Sequence, residues 1–140
     1  MVVLKGIPSI LSPELLYTLA KMGHGDELVL ADTNFPTSST CRCGPNEIRA
    51  DGVGIPELLE AILKLFPLDS FVDSPLVSGI TPMENSECQR AALQKPLERV
   101  ERFAFYERAK KSFAVVATGE ASLYGNLIIK KGVIPPEDLC

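Results

Sequence analysis

The sequence predicts an α/β protein, a single domain built on a mostly parallel sheet. Three observations carry that expectation. The chain has 140 residues, room for one hydrophobic core and not two. A capped amphipathic helix near the start feeds a short, wholly apolar strand. Such a run, with no polar alternation, marks a strand buried on both faces, as parallel strands between helices are. The same order, helix and then apolar strand, returns between Phe103 and Thr118.

Taken in turn, Ser12 is a good N-cap and Pro13 fits the first helical position. Leu15, Leu16, Leu19 and Met22 then recur at helical spacing, so one face is buried. Gly23 stands where a helix end favours a left-handed residue. Leu28–Ala31 is the first strand, with Asp32 at its carboxyl end. Residues 34–46, rich in Pro, Ser, Thr, Cys and Gly, read as a loop. Glu47–Ala50 is a second short strand, ended by Asp51-Gly52. Pro56 opens a second helix with Leu58, Leu59, Ile62, Leu63 and Phe66 inward, and Pro67 ends it. Asp69 follows in the turn "PLDS". Residues 75–96 hold no sustained period and read as loop, with a weak helix near Glu87–Leu93. A helix over Phe103–Lys111 and a strand over Phe113–Thr118 come next. Gly119-Glu120 breaks the strand, Gly125–Lys130 is the last one, and Lys131-Gly132 turns after it. There is no repeat and no linker, so residues 1–140 form one domain with an irregular segment at 75–97.

Composition narrows the functional classes. The net charge is −4 and the pI about 5.0. With no basic run, nucleic acid and anionic membranes are poor partners. The first residues lack the features of a signal peptide. No apolar run approaches the ~18 residues a membrane helix needs, so the expected location is cytoplasmic. There the four cysteines are expected to be reduced thiols. Cys41-x-Cys43 is too tight for a zinc knuckle and no second pair supports it, so no metal site is expected. Gly52-Val53-Gly54 lacks the third glycine of a dinucleotide fingerprint, because position 57 is Glu.

The candidates for chemistry are few. His24, the only histidine, sits in "MGHGD" between two glycines. The glycines let another group approach the turn closely. The preceding helix C-terminus favours a protonated imidazole, which can donate or accept a proton near neutrality. Asp32 lies at a strand carboxyl end, where open α/β sheets bind ligands. Asp69 suits either a site or a simple turn. Tyr106 and Arg108 lie in "RFAFYERAKK", where the bland reading of Arg108 is a solvated face. Tyr124 and Asn126 place a phenol and a carboxamide two apart at a strand start. That pairing suits sugar hydroxyls, which donate and accept at once. From the residues alone the reading stops at a small acid–base site for a neutral polar ligand.

Three blocks in order, "SPELLYTLAKMGHGDELVLADTNFP", "IRADGVGIPELLEAILKLFPLDS" and "RFAFYERAKKSFAVVATGEASLYGNLIIKKG", make the chain resemble the fucose mutarotase and D-ribose pyranase family. The "FYERAKK" block is similar to the fucose branch, since the ribose branch carries a histidine there. The resemblance implies a small α/β sandwich with helices flanking the sheet. It implies interconversion of the α and β anomers of L-fucose with neither cofactor nor metal. It also implies homo-oligomers with sites near subunit contacts. Residue by residue it makes His24 catalytic, with Asp32 the carboxylate beside it. Asp32, Asp69, Tyr106, Arg108, Tyr124 and Asn126 become sugar-binding, and Tyr106 or Asp32 the base. A 6-deoxy sugar requires an apolar pocket for its methyl group, for which Phe35, Phe103 or Phe105 are the expected walls. Between Ser74 and Glu98 the chain is shorter than the animal pattern. Two other readings are a pyranase or mutarotase for another sugar such as ribose, and a non-catalytic sugar-binding protein.

Overall fold

A computed structural model describes residues 3–65, 67–79, 97–121 and 125–139. Six strands form one sheet in the order β2-β5-β1-β6-β3-β4. They are β1 Glu27–Ala31, β2 Asn46–Ala50, β3 Leu76–Gly79, β4 Leu97–Val100, β5 Ala114–Thr118 and β6 Leu127–Lys130. β1 and β2 both run parallel to β5, and β3 runs parallel to β4. Only β6 runs against its neighbours β1 and β3. The expected mostly parallel sheet is present, with one reversed strand inside it.

The helices α1 Pro13–Lys21, α2 Thr37–Cys41, α3 Ile55–Leu63 and α4 Arg102–Ala109 cover both faces. Alternation along the strands decides which helix meets which face. Leu28, Leu30, Val116, Leu127 and Ile129 pack with α1 and α3 through Leu15, Leu19, Leu58 and Ile62. Val29, Ala31, Val115 and Ile128 point the other way, onto Phe35 and, from α4, Phe105 and Ala109. The middle of a strand wedged between two such layers has no room for polar side chains, which is why Leu28–Ala31 and Ala114–Ala117 read as continuous apolar runs.

Several expectations need correction. The glycine in the left-handed region after α1 is Gly25 (φ 86°), not Gly23; α1 ends instead on Met22 in an extended conformation. Within 34–46 the chain forms the short helix α2, held by burial of Thr37 and Thr40 rather than by helix propensity. Residues 75–96 are not all loop, because β3 lies inside the sheet between β6 and β4. Leu76 and Val77 enter opposite cores, but Ser78 and Gly79 follow them, so the apolar run is too short to mark a strand. The helix expected near Glu87–Leu93 lies outside the described residues, as does Phe66. β6 begins at Leu127 rather than Gly125, because Gly125 and Asn126 leave the ladder to hold Asp32.

Candidate active site

The carboxyl end of β6 gathers two segments from elsewhere in the chain. The turn after α1 docks through the Gly25 N–H, which donates to the Lys131 carbonyl at 2.9 Å. From the loop after α3, the Asp69 N–H donates to the Lys130 carbonyl at 3.0 Å. Leu68 bridges Lys131 antiparallel, and the Gly132 N–H donates to the Pro67 carbonyl at 2.8 Å. Residues 24 and 69 therefore hang from neighbouring peptide units of one strand end.

The turn is tight and exposed. The Gly23 N–H donates to Asp26 Oδ2 at 2.7 Å, and the Asp26 N–H donates back to the Gly23 carbonyl at 3.1 Å. His24 rides its tip with 47 % of its side chain exposed. Its Nε2 lies 3.0 Å from Asp69 Oδ1. A carboxylate can only accept, so Nε2 carries the proton of that bond. Nδ1 then faces outward and makes no hydrogen bond among the described residues.

Asp69 is buried, 3 % exposed, and the same Oδ1 accepts the Phe71 N–H at 3.0 Å. That N–H, then the His24 imidazole, and more weakly Lys130, hold the Asp69 carboxyl below the usual carboxylate range against the opposing effect of burial. The Phe71 ring stands 5.3 Å from the imidazole, tilted by 57°. The negative end of α1, expected to favour a charged imidazole, is engaged otherwise: Lys131 Nζ donates to the Leu19 carbonyl at 3.0 Å and the Met22 carbonyl at 2.7 Å. Asp69 is the anionic partner of His24.

Asp32 is elsewhere. His24 precedes β1 and Asp32 follows it, so about 16 Å of strand separates them, at ~3.3 Å per residue. In one chain the carboxylate beside His24 is Asp69 and not Asp32, as had been expected. Asp32, also buried, accepts the Asn34 N–H on Oδ1 at 2.9 Å and the Gly125 N–H on Oδ2 at 3.2 Å. Its own N–H donates to Asn126 Oδ1 at 2.7 Å. This clasp borders a polar cleft of about 280 Å³ over the ends of β1, β2 and β5, lined in part by Thr33, Thr37, Arg49, Asp51 and Thr118. Asp32 and Asn126 are thus brought together, and so are His24 and Asp69, at opposite ends of the sheet.

Tyr106, half-buried on α4, packs edge-on against Phe35 at 5.5 Å and Phe103 at 6.3 Å, away from His24. Arg108 is not a solvated residue. Its Nε and NH2 donate to Glu27 Oε2 at 3.0 and 2.9 Å, and NH1 lies 3.6 Å from Glu98 Oε2. That fork ties α4 to β1 and β4, which is a structural use of the group. Tyr124 lies outside the described residues. Of the phenylalanines expected to meet a methyl group, Phe35 and Phe105 are core residues at 8 % and 1 % exposure. Phe103 is exposed but pairs with Arg102 and Tyr106. Sequence reasoning missed Phe71; the available signal was an aromatic between the polar pairs Asp69-Ser70 and Asp73-Ser74 in "LDSFVDS".

On an α/β scaffold the candidate site is thus an imidazole fixed by a buried carboxylate, with one nitrogen unbonded among the described residues and a phenyl ring at its side. The comparisons make this particular. Residues 5–134 match the RbsD / FucU transport protein family, and the chain belongs to that family. It is similar to proteins named fucose mutarotase from Danio rerio, 64 % identical over all of both chains, and from Homo sapiens, 60 % identical over 96 % of each. The zebrafish alignment spans 153 positions against 140 residues here, so this chain is the shorter. A crystal structure of the fucose mutarotase from Streptococcus pneumoniae in complex with L-fucose is 48 % identical with a TM-score of 0.85, over 94 % of this chain and all of that one. RbsD of Bacillus subtilis, complexed with D-ribose, shares the fold with a TM-score of 0.73 at 22 % identity.

Proposed function

We propose that the protein is a cofactor-independent isomerase that interconverts the α and β anomers of L-fucose. The observation that carries this is the His24–Asp69 pair, with Nε2 held at 3.0 Å and Nδ1 left for a ligand. The names of its relatives point the same way. Opening a pyranose requires a proton on the ring oxygen as its bond to the anomeric carbon breaks, and loss of the anomeric hydroxyl proton. Protonated at both nitrogens, His24 keeps the Nε2 proton, donated in a hydrogen bond to Asp69, and delivers the other from Nδ1. The open aldehyde rotates about its first carbon–carbon bond and recloses with the proton transfers reversed. Acid–base help of ~10²–10⁴-fold is enough for a reaction that already proceeds unaided.

The base comes from a second copy of the chain. One monosaccharide cannot reach from His24 to the Asp32–Asn126 clasp along β1, so a site using both needs two protomers. Asp32 or Tyr106 of the neighbouring copy then faces the anomeric hydroxyl, and Asn126 binds the sugar. A site shared in this way makes the protein a homo-oligomer, and its location is taken as cytoplasmic.

Saturation-transfer proton NMR on L-fucose is the test. Irradiating the α-anomer H1 in the presence of protein should transfer saturation to the β-anomer H1, and His24→Ala should abolish it. An absence of transfer from folded protein overturns the reading in favour of another sugar or of mere binding. His24→Ala and Asp32→Asn chains, each inactive, should regain part of the exchange when refolded together. No recovery in mixed assemblies overturns the shared site.

A further inference from the structure

The geometry points to Phe71 as the residue that selects a sugar bearing a methyl group at the carbon next to the ring oxygen. This inference rests on the proposed mutarotase reading and adds to it the specificity element.

Phe71 is 75 % exposed, the most exposed aromatic ring among the described phenylalanines. A phenyl group in water is costly unless something apolar covers it during function. It is also held in place: its N–H donates to Asp69 Oδ1 at 3.0 Å, the oxygen that also holds His24 Nε2 at 3.0 Å. Imidazole and phenyl therefore share one anchor, which sets their centroids 5.3 Å apart.

The chemistry of the sugar does the rest. A group that protonates the ring oxygen sits about 2.7–3.2 Å from it. That oxygen has two carbon neighbours, the anomeric carbon and C5. In a 6-deoxyhexose C5 carries a methyl group, only two bonds from the oxygen being protonated. An apolar ring beside the acid is thus placed to meet that methyl at ordinary contact, about 4 Å. D-Arabinopyranose has the same ring stereochemistry as L-fucose but no methyl there. L-Galactose has a hydroxymethyl in its place, whose hydroxyl would meet the phenyl face without a partner.

The experiment compares exchange rates for L-fucose, D-arabinose and L-galactose by the same NMR transfer, in wild type, Phe71→Ala and Phe71→Leu. Wild type should prefer L-fucose. Phe71→Ala should lower L-fucose exchange by about 10-fold, as loss of a methyl contact does, and leave D-arabinose nearly unchanged. The fucose-to-arabinose ratio then collapses, and Phe71→Leu keeps part of it. A fall of equal factor on all three sugars, or a change in assembly size that explains the loss, overturns the specificity role. An unchanged fucose-to-arabinose ratio also overturns it. Failure of wild type on every sugar instead refutes the mutarotase reading, and the two failures are distinguished by the wild-type data alone.

Discussion

Gly132 has no side chain, and the site depends on that. A Cβ at this position would lie 2.5 Å from the Leu68 carbonyl oxygen, 2.8 Å from its carbon and 3.0 Å from Asp69 Cα. All three are backbone atoms, so no side chain can swing aside. Ordinary contact begins at 3.4 Å, and Gly132→Ala must push the segment away by about 0.9 Å. Asp69 moves with it. The shift displaces the carboxylate relative to His24 Nε2, to which it is bonded at 3.0 Å. Overpacking of this kind costs ~1–3 kcal/mol, against a total stability of ~5–15 kcal/mol, so the variant folds. Its Tm should fall by roughly 4–12 °C for a chain of this size. Anomer exchange should fall by ~10²-fold, the usual cost of misplacing a catalytic group by about 1 Å. Val133→Ala, at a half-exposed neighbouring position, should change neither. Two results refute the reasoning. An unchanged Tm would mean that the close approach is absent. A lowered Tm with wild-type exchange would mean that the placement of Asp69 does not matter to the chemistry.

Other expectations follow from the same contacts. Asp69→Asn keeps the shape, with its oxygen still accepting from both the Phe71 N–H and His24 Nε2, and removes only the charge that stabilises the imidazolium; it should cut exchange by up to ~10²-fold. The Asp69 carboxyl is held below its usual pKa in the folded chain, so its contribution to stability is complete above about pH 4 and is lost as pH falls further, through the lower folded value. Wild-type urea midpoints should drop over that acid window, and those of Asp69→Asn should drop less. Lys131→Met removes the ammonium that caps the Leu19 and Met22 carbonyls and should cost ~1–2 kcal/mol in thermal unfolding. The Thr118 hydroxyl donates to the Ala31 carbonyl at 2.7 Å and accepts the Glu120 N–H at 3.1 Å. Thr118→Val should therefore lower urea stability by ~1–3 kcal/mol without changing the m value.

The blocks that make the chain resemble its family hold every residue of the candidate site except Phe71, one position beyond the second block, and most of the layered fold was legible with them. A proline-led helix, a glycine-bounded histidine and a strand apolar on both sides are local patterns, and local patterns survive in one dimension. The apolar runs Leu28–Ala31 of β1 and Ala114–Ala117 of β5 declared a sheet covered on both faces, as the α1–α3 and α2–α4 layers show. β3 was illegible because its apolar run is only Leu76-Val77 before Ser78 and Gly79, too short to declare a strand buried on both faces. The short helix over Thr37–Cys41 was illegible because its Ser and Thr residues argue for a turn, and burial against the sheet overrules them.

By itself the sequence determined which side chains are candidates for chemistry: one imidazole, the carboxylates Asp32 and Asp69, and a few other polar groups such as Asn126. Only the tertiary structure decided their pairing. Asp32 is eight positions from His24 and looked like its partner, yet an extended strand separates the two as far as its length allows. Asp69 is 45 positions away, yet it shares the end of β6 with the histidine turn. The reversal of that one strand is the reason. It brings Lys130–Gly132 back to the amino end of β1, where successive peptide groups hold both segments at once. Sequence distance carries no record of this, because the contacts are made by backbone carbonyls that every residue possesses.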